Sequence, residues 1–223
     1  MKILIYNSGG GLGDSIQLFD IIISLKRKFG EKNLYYLSAH KNHYKMALKD
    51  YNVQLESLET NIKYFGFRLK HFFHSKNILK NKFIKKFDLI IDLQSKLRNS
   101  LILKRIPHNY FYSSTLNFKL CSVKKNYDSS KNDLKNIISN LEKLLEIKIP
   151  FIKYNINLID KLYFDEAKKL LPQKKYIGFS ITQGNMLRKK SWSLNRFINI
   201  AKKISEDGKQ PVFFIEKNNT ELI

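Results

Sequence analysis

The chain has 223 residues, 43% of them hydrophobic and 13% aromatic, which is enough for one good core, or one domain and part of another, and too apolar for disorder. A single cysteine, Cys121, excludes an internal disulfide framework and fits a reducing compartment, and no apolar run reaches bilayer-spanning length. The net charge of +22 excludes little: it suits nucleic acid, anionic lipid or phosphorylated substrates, and the Lys, Asn, Ile, Phe and Tyr found throughout are also what A+T-rich codons encode.

Ile3-Leu4-Ile5-Tyr6 reads as a short buried strand. The glycine-rich turn Ser8-Gly9-Gly10-Gly11-Leu12-Gly13-Asp14 follows, then a helix with Ile16, Phe19, Ile22, Ile23 and Leu25 at helical spacing. Such a turn lets backbone approach a ligand closely, and here it also presents a carboxylate, Asp14. It is not a P-loop, because no lysine follows the glycines. It departs from the dinucleotide fingerprint too: Asp14 stands where a third glycine belongs, and the next strand, 33–38, ends in Ser38 rather than an acid. A structural turn that packs helix on sheet remains the alternative. A helix-like stretch near 41–49 comes next.

From Asn61 to Phe87 there are eight Lys or Arg and no acid, interleaved with seven Phe or Tyr. This is either a solvated basic helix with inward aromatics or a surface for anionic lipid or a phosphorylated acceptor. Phe87–Leu93 reads as a strand, followed by a turn at Gln94-Ser95 and a helix from about Lys96 to Lys104. Leu134, Ile137, Ile138, Leu141, Leu144 and Leu145 mark an amphipathic helix over 132–146. Alternation of this kind predicts an α/β fold with a parallel sheet.

Pro150 and residues 151–158 read as a link between lobes, followed by a helix at roughly 160–171 and a strand at 176–181. A polar loop, Thr182 to Ser193, carries Arg188-Lys189-Lys190 beside the only tryptophan, Trp192. Clustered cations after a parallel strand suit a diphosphate, though a solvated basic turn with Trp192 stapling the next helix reads equally simply. A helix over about 194–205, Gly208 and a strand at 211–215 complete one β-α-β unit. Two strands are too few to stand alone, so the second lobe is expected to be cut short. His40-x-x-His43 and His71-x-x-His74 have helical spacing, but no nearby Cys or carboxylate completes a metal ligand set. No metal and no cofactor is expected.

Together these motifs resemble glycosyltransferase family 9, the bacterial lipopolysaccharide heptosyltransferases. The resemblance rests on Gly11-Leu12-Gly13-Asp14 after the first strand, on Phe87-Asp88-Leu89-Ile90-Ile91-Asp92-Leu93-Gln94 with Arg98, and on Gly178 through Lys190-Ser191-Trp192. It implies a GT-B architecture of two Rossmann-like lobes with parallel sheets. Residues 1–155 would form the acceptor-binding lobe and 156–223 an incomplete nucleotide-sugar-binding lobe. It further implies metal-independent inverting transfer from ADP-heptose to a lipopolysaccharide inner-core acceptor. Asp14 would be the general base, with Gly11, Gly13, Asp92, Gln94 and Arg98 on the acceptor side. Thr182, Arg188, Lys190 and Trp192 would bind the nucleotide-sugar, Lys190 stabilising the leaving ADP.

Asp92 and Gln94 can equally be read as capping the following helix. Family members continue beyond the end of this chain into a glycine-rich segment with a histidine, so a C-terminally truncated member, inactive alone, is expected. The expected location is cytoplasmic, at most peripheral at the inner membrane's inner face. A non-catalytic basic protein binding nucleic acid is the rival, but no helix-turn-helix, RNP or zinc signature supports it, and nucleic acid is not expected as a partner. A degenerate member retaining only acceptor binding is the third reading.

Overall fold

The computed structural model describes residues 1–7, 11–38, 42–58, 68, 70–75, 84–94, 96–129, 134–172, 175–181 and 192–215. The chain divides into two compact units, Met1–Asp160 and Lys161–Ile223. The first holds five parallel strands: β1 (Ile3–Asn7), β2 (Leu34–Ser38), β3 (Glu56–Ser57), β4 (Phe87–Asp92) and β5 (His108–Ser113), in spatial order β3-β2-β1-β4-β5. All five residues of β1 are buried, because a central parallel strand is covered on both faces. Its register is Ile3↔Leu34 on one side and Ile3↔Leu89 on the other.

Alternate residues of these strands feed two cores. Ile3, Ile5, Leu89 and Ile91 pack with Ile21, Ile22 and Leu25 of α2 (Phe19–Phe29) and with Ile138, Leu141 and Leu144 of α5 (Leu134–Leu145). Leu4, Tyr6 and Ile90 face the other way, onto Ile102 and Leu103 of α4 (Leu97–Leu103). Each fully buried Leu or Ile contributes about 1.5–3 kcal/mol, so this double-sided packing is what fixes the strand order.

Successive strands run outward from β1 to β3, then the chain crosses back to place β4 on the other side of β1. A crevice therefore opens outside the carboxyl ends of β1 and β4, the topological switch point where α/β sheets take ligands.

Three local features differ from the sequence reading. The glycine turn opens a separate short helix, α1 (Leu12–Ile16), before α2. The helix expected near 41–49 is two single 3-10 turns, His43–Lys45 and Lys49–Tyr51. Asn42 is the reason: its side chain accepts from the Tyr44 N–H at 3.0 Å and donates to Ser57 Oγ at 2.7 Å, competing with helical bonding. The strands β3 and β5 carry no clear sequence signal. After β5, Leu116, Asn117 and Phe118 all adopt left-handed backbone, at φ 53°, 52° and 63°. This costs about 1–2 kcal/mol per residue, and packing holds it: the Phe118 ring lies 6.0 Å from Tyr112 and 5.2 Å from Tyr127.

Residues 151–158, read as a link, are sewn onto the first unit. The Ile152 N–H donates to Ser24 Oγ and the Tyr154 N–H to Asp20 Oδ1, both at 2.8 Å. Asn52 Nδ2 donates to the Leu158 carbonyl at 2.8 Å. Of the basic-aromatic segment, α3 (Lys70–His74) is described; residues 61–67 and 76–83 lie outside the described residues.

The second unit contains α6 (Lys161–Leu170), β6 (Tyr176–Ser180), α7 (Leu194–Glu206) and β7 (Gln210–Phe214). β6 and β7 pair in parallel, Tyr176↔Gln210 through Ser180↔Phe214. Phe179 stacks on Phe213 at 5.1 Å and meets Phe197 of α7 edge-on at 6.2 Å. A Cβ on Gly178 would lie 2.7 Å from the Phe214 ring, so glycine lets that ring cross the strand.

Candidate active site

Gly11 stands at the N-cap of α1 with extended backbone, so its φ does not require glycine. A Cβ there would stand 3.3 Å from Asp14 Oδ2, a tight contact that the exposed carboxylate, folded back over Gly11, would have to yield to by a few tenths of an ångström. Gly13 faces open space. Asp14 is exposed in the first turn of α1, while its neighbour Ser15 is buried. The buried Tyr44 hydroxyl donates to the Ser15 carbonyl at 2.9 Å and its ring stands edge-on to Tyr36 at 5.0 Å, so the acid is mounted on a braced turn.

A line of polar side chains crosses the switch point beneath it. Gln94, just past β4, donates from Nε2 to Asn7 Oδ1 at the end of β1, at 2.7 Å. Asn7 is 3% exposed. Burial pushes the Tyr36 phenol up to about 12; the neighbouring Ser15 and Asn7 side chains oppose the rise and the charge of Asp14 adds to it. Gln94 and Asn7 thus join the ends of β4 and β1, and Tyr36 on β2 feels both Asn7 and the charge of Asp14.

Asp92, at the end of β4, is not exposed to solvent. Its oxygens accept from the Gln94 N–H at 3.0 Å, Ser113 Oγ at 2.8 Å and Ser100 Oγ at 2.5 Å. Thr115 Oγ1 stands 2.6 Å from Ser100 Oγ and 2.9 Å from Ser113 Oγ, closing a hydroxyl ring under the carboxylate. Nor does Asp92 cap α4: the N-cap of that helix is Lys96, and no side chain bonds there. Burying a carboxylate costs several kcal/mol before hydrogen bonds offset it.

Arg98, in the first turn of α4, is exposed, and its Nε donates to Asn99 Oδ1 at 3.4 Å. It belongs to a cationic neighbourhood. Burial holds the His71 imidazole below its ordinary range, and Lys70, His74, Arg68 and Arg98 lower it further. Among the described residues no three His, Cys, Asp or Glu side chains are grouped as a metal site requires, and no helix is long and apolar enough to cross a membrane.

On the second unit Trp192 is 54% exposed with its ring 5.7 Å from Phe197, so it packs onto the helix that follows it. Thr182, Arg188 and Lys190 lie outside the described residues. The predicted residues that meet are therefore Gly11 with Asp14, and Asp92 with Gln94. Sequence reasoning missed Asn7, Tyr36, Ser100, Ser113 and Thr115. Asn7 alone gave a signal, as a polar residue closing an apolar strand just before a glycine turn.

A parallel sheet in this order, with an exposed acid on its first βα turn, is a Rossmann-like lobe, and the chain's α/β units with parallel sheets resemble those of the GT-B class. No protein-family model and no curated protein matches the sequence. Solved structures do match the fold over nearly the whole chain. A glycosyl transferase of family 9 from Veillonella parvula aligns with 99% of this chain and 64% of its own, at TM-score 0.57 and 18% identity. The E. coli heptosyltransferase WaaC with ADP-2-deoxy-2-fluoro heptose aligns with 99% of this chain and 71% of its own, at TM-score 0.59 and 12% identity. The E. coli ADP-heptose lps heptosyltransferase II aligns with 99% and 66%, at TM-score 0.53 and 15% identity. The chain thus spans about two thirds of the length of these structures, and at such identities the likeness establishes the fold.

Proposed function

We propose that this chain serves a glycosyltransferase that moves a sugar, heptose from ADP-heptose, to a lipopolysaccharide inner-core acceptor by metal-independent inverting displacement. The observation that carries the reading is the exposed Asp14 carboxylate on the first βα turn of a lobe whose β1 and β4 ends are joined by the Gln94–Asn7 amide pair, in a fold shared with structures solved as heptosyltransferases.

In this reading the first unit holds the acceptor. Asp14 takes the proton of the acceptor hydroxyl as its oxygen bonds to the anomeric carbon, and the bond from that carbon to the diphosphate breaks with its electron pair leaving on the diphosphate. Lys190 and Arg188 neutralise that growing charge, and Thr182 and Trp192 complete the nucleotide-sugar contacts. Gln94, held by the buried Asn7, supplies an amide suited to sugar hydroxyls. The cations around Arg98, with the net charge of +22, suit an anionic acceptor at the cytoplasmic membrane face.

The test is transfer from ADP-heptose to an inner-core acceptor by this chain with its nucleotide-sugar-binding unit completed from a solved heptosyltransferase (the parent), and by the same protein carrying Asp14→Asn, which keeps the shape and removes the base. Transfer is expected to fall by about two orders of magnitude or more while ADP-heptose affinity stays unchanged. Turnover within a few-fold of the parent overturns the base assignment. Acceptor binding without transfer in the parent selects the degenerate, acceptor-binding reading instead.

A further inference from the structure

Two costly features meet at the carboxyl ends of β4 and β5. One is the buried Asp92 carboxylate on its ring of Ser100, Ser113 and Thr115 hydroxyls. The other is the run of three left-handed residues, Leu116–Phe118, that begins directly after Thr115. Apolar residues would fill the same space more stably, and backbone held in rare conformations concentrates where a site needs it. The ring draws on α4 (Ser100), β5 (Ser113) and the turn (Thr115), so it ties three elements to one carboxylate. From its other oxygen, Asp92 holds the backbone N–H of Gln94 at 3.0 Å, and Gln94 carries the amide that reaches across to Asn7.

We infer that Asp92 is a positioning residue: its hydroxyl-ringed carboxylate fixes Gln94, braced against the buried Asn7 amide, as a preset contact for the hydroxyls of the acceptor sugar. The acceptor part of this statement rests on the glycosyltransferase reading; the positioning part does not. Asp92 touches no substrate, and its whole effect passes through Gln94. An amide set before the acceptor arrives loses less side-chain freedom on binding.

The experiment is a double-mutant cycle on the full chain with Asp92→Asn, Gln94→Ala and the two combined, read in two ways. The first reading is the side-chain amide NMR signals of Gln94 and Asn7 in the unliganded protein. Asp92→Asn is expected to shift both, and unmoved signals overturn the inference. The second is steady-state transfer by the completed protein. Each single variant is expected to raise the acceptor KM about tenfold, the loss of one hydrogen bond, with the donor KM unchanged. The double variant is expected to match Gln94→Ala alone, because both remove one interaction. Multiplying effects, or a rise in both KM values, overturn it. Should Asp92→Asn fail to fold, Thr115→Val keeps the shape, removes one ring hydroxyl and is expected to move the same Gln94 signals; unmoved signals again overturn it. Should the parent show no transfer, the function reading has failed, and the NMR arm still decides the positioning.

Discussion

His71 and His108 set an acid limit on this protein. Burial is the first cause of lowering in both; nearby cations add to it, while the carbonyl of Ile106, 2.6 Å from the His108 ring, pulls that group back up. With folded pKa values below the ordinary 6.5, the unfolded chain takes up protons that the folded one refuses. This stability is therefore complete above pH 6.5 and is lost as pH falls below it. The thermal midpoint is expected to drop between pH 7.5 and 5, and the drop to shrink in His71→Gln combined with His108→Gln. An unchanged slope in that double variant removes both from the account. The tyrosines act at the other end. Tyr36 and Tyr112, each pushed up to about 12 chiefly by burial, stay protonated in the fold after the unfolded chain has ionised near 10. Their contribution is lost as pH rises from 10 through 12.

The left-handed turn after β5 puts its strain at a position where it can be measured. Leu116 is 53% exposed, so little packing depends on its side chain. Leu116→Gly removes the left-handed penalty of about 1–2 kcal/mol and adds unfolded-chain entropy worth about 0.5–1 kcal/mol, for a net gain of about 0.5 kcal/mol. Leu116→Ala keeps its Cβ and is expected to show no such gain. Urea titration of both variants checks this, and equal midpoints would remove the strain argument. Elements of this kind also mark where the sequence stops being readable. Ile3–Tyr6 and Phe87–Asp92 announce themselves as apolar runs because central parallel strands are buried on both faces. His108-Asn109-Tyr110 does not, because β5 lies at the edge and its first half is partly exposed. The candidate site divides the same way. The glycine turn and Asp14 are adjacent in sequence and were legible. The depth of Asp92 depends on Ser100, Ser113 and Thr115 arriving from separate elements, and no linear motif joins them.

At the scale of the molecule, the two units differ sharply in how much they bury. Among the described residues, every buried apolar side chain except Ala201 belongs to the first unit, whereas Leu162, Leu170 and Phe214 of the second are exposed. Local opening should accordingly be easier in the second unit. Limited proteolysis is expected to cut first beyond residue 160 and to leave a resistant fragment ending near there; first cuts inside residues 1–58 would contradict this ordering. The β1–β4 pairing bears on how the protein is made. Lys2 and Asp88, which bond at 2.7 Å beside that pairing, are 86 positions apart. At a synthesis rate of about 5–20 residues per second, the first strand leaves the ribosome roughly 4–17 s before its second neighbour exists. Throughout that interval Ile3, Leu4 and Ile5 form an unpaired apolar edge on the nascent chain. The strand that organises the finished sheet is thus the one that waits longest for its second neighbour during translation.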